Sequence, residues 1–398
     1  MFSHLQIPNA KERTMVGMAD LALAPLRAFQ RRPTDAAVSR ILLLRLERIG
    51  DLLMILDAIA SARAAWPNAE IDLAVGSWNA PIAALIPGIA HVDVADVPWL
   101  ARDGGGDTWA TLRAKARQWR MRRYDLVINF EPDIRSNYLA WLTGAPRRLG
   151  YFTGGGGAFL TEATAYEPRQ HVAVNARAIV ARAATPATGA TGRAPHGAST
   201  MLQPPADAFA RARALLDHAP RPHVGVHVSG GRQSKQWHLD RFASVARDLS
   251  RGRGATIVLT GTDTDRPMVD EVKRALDGVR VIDAAGNVDL PTLAALLADL
   301  DLLVTSDTGP MHLASAMHTP VVALFGPSHP ERYGPLAMQQ RVLRVDLPCS
   351  PCGQVRLPPP RCRGHVPDCM DGISVDAVVR AAHDLLDAST RAARQVPV

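Results

Sequence analysis

Cysteine is scarce in this chain of 398 residues. There are four, at 349, 352, 362 and 369. A secreted disulfide scaffold spreads its cysteines along the chain, so a single cluster fits one local site in a reducing compartment. Aromatic residues make up only 5%, and no nucleic-acid-binding motif accompanies the basic stretches, which disfavours nucleic acid as a partner. No stretch approaches the roughly 18 consecutive apolar residues that span a bilayer. The apolar run Met15–Phe29 is broken by Asp20 and Pro25 and lacks the layout of a secretion signal. What is present is ordinary for a globular protein with a sizeable core: 47% hydrophobic and 21% charged residues. At roughly 100–200 residues per domain, the length implies two domains. Lys and Arg outnumber Asp and Glu by 45 to 38, a net charge of +7, which favours acidic partners such as nucleotides or an anionic membrane face. The expectation is a soluble, cytoplasmic, two-domain, basic protein.

Residues 1–36 precede the first strong pattern and read as an extension with one short helix. Ile41–Leu46 reads as a buried strand that runs through Glu47-Arg48-Ile49-Gly50-Asp51 into a helix from Leu52 to about Trp66. Ile71–Val75, Val92–Val97 and Leu126–Phe130 are further strand candidates, with a helix candidate at Leu112–Arg123. Residues 185–205, rich in Ala, Thr, Gly and Pro, read as a linker or insertion. Strands then resume at Val224–Val228, Thr256–Thr260, Val279–Asp283, Leu302–Thr305 and Val321–Phe325, alternating with helices. Alternation of this kind indicates parallel sheets covered on both faces. The expected organisation is an extension (1–36), a first Rossmann-like domain (37–184), the linker, a second Rossmann-like domain (206–345), a Cys-rich segment (346–372) and a C-terminal helix and tail (373–398). The two domains face a central cleft, and ligands of such folds sit at the carboxyl ends of the strands.

Two loops at corresponding strand ends of the second domain suit an anion. Ser306-Asp307-Thr308-Gly309-Pro310-Met311-His312 opens a helix, whose amino end offers N–H donors and positive dipole. Ser229-Gly230-Gly231-Arg232-Gln233-Ser234-Lys235 pairs flexible glycines with Lys235 as a point charge. Asp307 and Thr308 also suit plain helix caps, and the glycine loop also suits a solvated turn. Asp51, at a strand-to-helix turn of the first domain, suits either a general base or a cap. Leu112–Arg123 carries six basic residues and no acid; a solvated helix face and a contact with lipid headgroups both explain it. The four cysteines, Cys349, Cys352, Cys362 and Cys369, fit zinc or iron, free thiols or two disulfides.

The segment Ile41–Pro67, Arg148-Leu149-Gly150-Tyr151 before the glycine run Gly154–Gly157, Ser234-Lys235-Gln236-Trp237, and above all Ser306–Pro327 (SDTGPMHLASAMHTPVVALFGP) together resemble glycosyltransferase family 9, the lipopolysaccharide heptosyltransferases. The resemblance covers roughly residues 39–387. It implies an α/β GT-B fold and inverting transfer of heptose from ADP-heptose, with no cofactor required for catalysis. It implies Asp51 as base, Lys235 as the residue that neutralises the donor phosphates, and Asp307, Thr308, Gly309 and His312 as donor contacts, with Asp263 or Asp265 as an acidic contact; Ser229, Gly230 and Ser234, from the glycine loop read above as an anion cradle, complete the expected donor site. The acceptor it implies is an anionic glycolipid of the lipopolysaccharide inner core, reached by peripheral contact with the inner face of the membrane. Gly154–Gly157 then reads as a variable acceptor loop. Relatives that glycosylate autotransporter proteins carry cysteine-bound iron, which keeps a protein acceptor as an alternative; a non-catalytic sugar-nucleotide binding protein is a third.

Overall fold

In a computed structural model of the chain, which describes residues 2–29, 37–101, 105–185 and 201–394, the apolar runs form the strands of two sheets. The chain divides into two compact units, Met1–Thr200 and Met201–Val398. The expected linker at 185–205 lies outside the described residues over 186–200.

The first unit contains β1 (Arg40–Leu44), β2 (Glu70–Val75), β3 (His91–Val94), β4 (Leu126–Asn129), β5 (Arg147–Tyr151) and β6 (Glu162–Thr164), in the order β3-β2-β1-β4-β5-β6. The second contains β7 (His223–His227), β8 (Thr256–Thr260), β9 (Val281–Asp283), β10 (Leu302–Ser306), β11 (Val321–Leu324) and β12 (Gln340–Leu343), in the order β12-β11-β10-β7-β8-β9. Each of these neighbouring pairs is parallel. Parallel neighbours need crossovers, and the crossover helices bury both sheet faces. That is why Ile41–Leu44 is an unbroken apolar run with 0% exposure at each position. The two units share one topology, and the α/β, GT-B class expected from the sequence is the one the chain adopts. In each unit the strand order reverses beside its first strand, between β1 and β4 and between β7 and β10. The crossovers on either side of that point cover opposite faces, which opens a crevice at the carboxyl ends of those strands.

Several local expectations differ. The helix expected over 52–66 is two helices, Ile49–Leu53 and Leu56–Ala65, with Ile55 between them at φ −102°, ψ 7°. β5, β6 and β12 had no strand signature. β5 reads Arg-Arg-Leu-Gly-Tyr, and its Arg148 is buried only because Phe159 and Ala145 carbonyls accept from its guanidinium. β6 and β12 are short edge strands, where little apolar surface is required. The basic helix Trp109–Met121 buries Leu112, Ala116 and Trp119 and leaves Arg113, Arg117 and Arg120 exposed. The extension forms a helix at Ala10–Leu23, with the Asn9 side chain accepting from the Lys11 and Glu12 N–H groups. In the second unit the helix Val375–Arg394 lies against Leu239–Arg253, tied by Arg253 to Asp387 at 2.6 Å and to His383 at 2.8 Å. Among the described residues no helix is long and apolar enough to cross a membrane.

Candidate active site

The switch point of the second unit gathers both anion-suited loops, one after β7 and one after β10. Lys235 reaches across it. Its ammonium donates to the Asp307 carbonyl and lies 3.3 Å from Asp307 Oδ2, with the two side chains only 17% and 11% exposed. An ammonium has three donors, so this pairing leaves capacity for an incoming anion. Thr308 precedes the helix Gly309–Ala316 but its side chain does not cap it; Oγ1 turns back to the Ser306 carbonyl at 3.3 Å and to Thr305 Oγ1 at 3.2 Å. The capping explanation therefore fails for Thr308. His312 lies in the first turns of this helix and is buried.

The glycine loop is hydrogen-bonded within itself. Gln236 accepts from the Gly230 N–H at 2.8 Å and donates to the Val228 and Trp237 carbonyls. A Cβ on Gly230 would stand 2.6 Å from the Lys235 carbonyl carbon and oxygen, so only glycine lets the loop fold back on Lys235. Ser229 is buried and accepts from the Gly231 N–H at 3.2 Å. The Ser234 hydroxyl donates to the Val355 carbonyl at 3.0 Å, which ties the loop to the Cys-rich segment. Of the two aspartates after β8, Asp265 is engaged internally. It accepts from the Thr262 N–H and hydroxyl at 2.8 and 2.7 Å, and although burial opposes its charge, these bonds, Ser229 and the nearby His227 hold its carboxyl below the usual range. Asp263 is exposed in the same short turn.

In the first unit Asp51 follows β1 and caps the helix Ile49–Leu53: Oδ2 accepts from the Arg48 N–H at 3.2 Å. It is also held by Arg45, which is 3% exposed. The Arg45 guanidinium donates to the Asp51 carbonyl at 3.1 Å and the Phe130 carbonyl at 2.8 Å, and lies 2.7 Å from Glu47 and 3.5 Å from Asp51 Oδ1. Burial disfavours charge on Arg45, but Glu47, Asp51 and Glu131 outweigh it and its pKa moves up. Glu131, 2% exposed at the end of β4, accepts from the Leu46 N–H. Burial first, then Glu47 and Asp133, push Glu131 up to about 8 against the pull of Arg45 and the Leu46 N–H. One cation thus serves three carboxyl groups at the β1–β4 switch point, and the most buried of the three keeps its proton. Asp51 stands out in the sequence, whereas Arg45 and Glu131 do not. The available signals were a lone arginine inside ILLLRL and a glutamate at the end of a strand-like run.

Two other clusters have different standing. Glu70, Asp72 and His91 bring ligand atoms within 4.8 Å of one another. Arginine already supplies the cation there: Arg122 lies 2.9 Å from Asp72 and 2.7 Å from Asp93, and Arg40 lies 3.4 Å from Glu70. The group sits at the amino ends of β2 and β3, away from the switch-point loops, and reads as an ion-pair network. The four cysteines share one neighbourhood. Burial and then the Cys352, Cys362 and Cys349 thiols push the Cys369 thiol up to about 11. Cys369 is buried, Cys362 half-buried and the other two exposed, with no disulfide among them. Four sulfurs are a suitable donor set for zinc or iron, although among the described residues no three of them come as close together as the Glu70 group.

The pattern of glycosyltransferase family 9 (heptosyltransferase) matches residues 112–357. Lipopolysaccharide heptosyltransferase 1 of Pseudomonas aeruginosa is 29% identical over 79% of this chain and 86% of that protein. The crystal structure of the glycosyl transferase family 9 protein of Veillonella parvula is similar with a TM-score of 0.72 at 24% identity, covering 89% of this chain and 99% of that one. The E. coli ADP-heptose lipopolysaccharide heptosyltransferase II is similar with a TM-score of 0.71 at 20% identity, over 88% and 99%. With a family match across more than half its length and two Rossmann-like units, the chain belongs to glycosyltransferase family 9, the heptosyltransferases.

Proposed function

We propose that the protein transfers heptose from ADP-heptose to a hydroxyl of the lipopolysaccharide inner core, with inversion at the anomeric carbon. The observation that carries this reading is Lys235, held by Asp307 at the β7–β10 switch point beside a helix that Thr308 leaves uncapped. Lys235, the N–H groups at the start of Gly309–Ala316 and His312 would meet the donor diphosphate, with Ser229, Gly230 and Ser234 shaping the facing loop. Asp263, exposed after β8, is the acidic residue available to the nucleoside or sugar.

In the reaction the acceptor oxygen forms a bond to the anomeric carbon while the bond from that carbon to the diphosphate oxygen breaks. The acceptor proton passes to Asp51, and ADP leaves with the electron pair. Charge grows on the departing diphosphate, where Lys235 and the helix amino end stabilise it electrostatically. A positioned base contributes about 10²–10⁴-fold, and Asp51, with its side chain 27% exposed and anchored by Arg45 and the Arg48 N–H, remains open to an acceptor. The catalytic step requires no metal, and zinc or iron at Cys349, Cys352, Cys362 and Cys369 would be structural. The basic charge suits an anionic glycolipid at the inner membrane face. The cysteine set favours, as a second reading, a protein hydroxyl as acceptor for the same donor.

The test is ADP release from ADP-heptose with core lipid that lacks heptose. Wild-type protein should release ADP, and Asp51→Asn should bind donor normally while losing at least a hundredfold in kcat. Near wild-type transfer by Asp51→Asn removes Asp51 as base, and transfer to a surface protein in place of core lipid selects the second reading.

A further inference from the structure

The glycine run Gly154–Gly157 is not an open loop. Every residue from Thr153 to Leu160 is buried, and what covers the run on one side is the N-terminal extension. Asp20, on the helix Ala10–Leu23, accepts from the Gly156 N–H at 2.6 Å. A Cβ on Gly155, which has φ +87°, would lie 2.2 Å from Val16 Cγ1, and one on Gly157 would lie 3.1 Å from an Arg27 nitrogen. The Gln6 N–H donates to the Thr153 carbonyl and its side-chain amide to the Tyr166 carbonyl, both at 2.7 Å, while Leu5 is 3% exposed. The extension thus grips the loop at both ends and in the middle.

The other face of the run meets the loop after β4. A Cβ on Gly154 would lie 1.8 Å from the Pro132 carbonyl oxygen, and one on Gly156 would lie 3.0 Å from Ile134 Cα. Glycines are needed here because two layers press on one strand of backbone, and Gly155 and Gly156 also hold positive φ. The loop after β4 begins at Glu131, whose carboxyl holds the Leu46 N–H in the turn that leads to Asp51. A continuous series of contacts therefore runs from the extension through the glycine loop and residues 131–134 to the turn that carries Asp51.

We propose that residues 2–29 are a built-in strap that sets the conformation of the Gly154–Gly157 loop against residues 131–134, and thereby governs acceptor binding without contributing to donor binding. This rests on the proposed transfer function and on the reading of Gly154–Gly157 as its acceptor loop. Asp20 is a positioning residue in this scheme. Its role is to accept one N–H bond, so an amide oxygen replaces it and a methyl group does not.

The experiment uses the full chain with Asp20→Ala, Asp20→Asn and Gly155→Ala, read by hydrogen–deuterium exchange and by steady-state kinetics with ADP-heptose and heptose-free core lipid. Loss of one buried acceptor should raise exchange at Gly156 about tenfold in Asp20→Ala. Asp20→Asn should restore protection, and Gly155→Ala should loosen residues 153–157 by forcing Val16 away. The KM for core lipid should rise at least fivefold in Asp20→Ala and Gly155→Ala, with the KM for ADP-heptose unchanged. Unchanged exchange at residues 153–157 overturns the strap, as does a donor KM that rises in step with the acceptor KM. Exchange needs no acceptor, so wild-type protein inert toward core lipid overturns the transfer reading alone and leaves the strap to be judged by protection of its loop.

Discussion

Replacing Glu131 with glutamine should reverse one trend of stability with pH. The carboxyl is 2% exposed and holds its proton up to about pH 8, against an ordinary value of 4.5. In the unfolded chain it ionises near 4.5, so between 4.5 and 8 the native state binds more protons and rising pH favours unfolding. The stability is fully present below 4.5 and lost as pH rises through 8. At 1.36 kcal/mol per unit, the whole shift corresponds to roughly 5 kcal/mol as an upper bound. Partial hydration once Glu131 ionises reduces the penalty, so on the order of 3 kcal/mol is the working expectation. Glutamine keeps a carbonyl oxygen for the Leu46 N–H and has nothing to ionise. Glu131→Gln should therefore match wild type at pH 4 and become the more stable protein by on the order of 3 kcal/mol near pH 8.5. Urea unfolding followed by tryptophan fluorescence suits the measurement, because six of the seven tryptophans lie in the first unit. Parallel pH profiles for the two proteins would refute the reasoning, since they would mean that Glu131 is ionised in the native state throughout.

His227 predicts the opposite sign in the second unit. Burial lowers it to about 4 from 6.5, so the unfolded chain binds the extra proton and stability is lost as pH falls from 6.5 to 4; His227→Gln should flatten that acid limb in urea titrations. Gly230→Ala places a methyl 2.6 Å from the Lys235 backbone, and should raise the KM for ADP-heptose about tenfold while sparing that for core lipid, as steady-state kinetics would read. Elemental analysis of purified protein should find about one zinc or iron per chain, lost in Cys369→Ser; a metal-free wild type would leave the cysteines as structural thiols.

Much of the fold was legible because parallel strands buried on both faces are rich in apolar residues, and nine apolar-rich segments stand out between helical ones. The two anion-suited loops were legible for a related reason. A backbone that approaches a diphosphate needs small and hydroxyl residues at a strand-to-helix turn, so Ser306–His312 and Ser229–Lys235 carry their chemistry in local sequence. Asp51 was visible as a carboxylate at such a turn, but whether it capped or did more was not. Packing shows that it caps its helix and also pairs with Arg45, which, invisible as a partner in sequence, reaches it from the end of β1. The pairing of Arg45 with Phe130, the proton kept by Glu131, and the seat of the glycine run beneath residues 2–29 join segments 85 to 136 residues apart. Composition and periodicity report what each segment requires of its own neighbours along the chain. They do not report which distant carboxylate shares a buried cation, or which backbone must yield space to another, because both depend on distances that exist only once the strands have taken their order in the sheet.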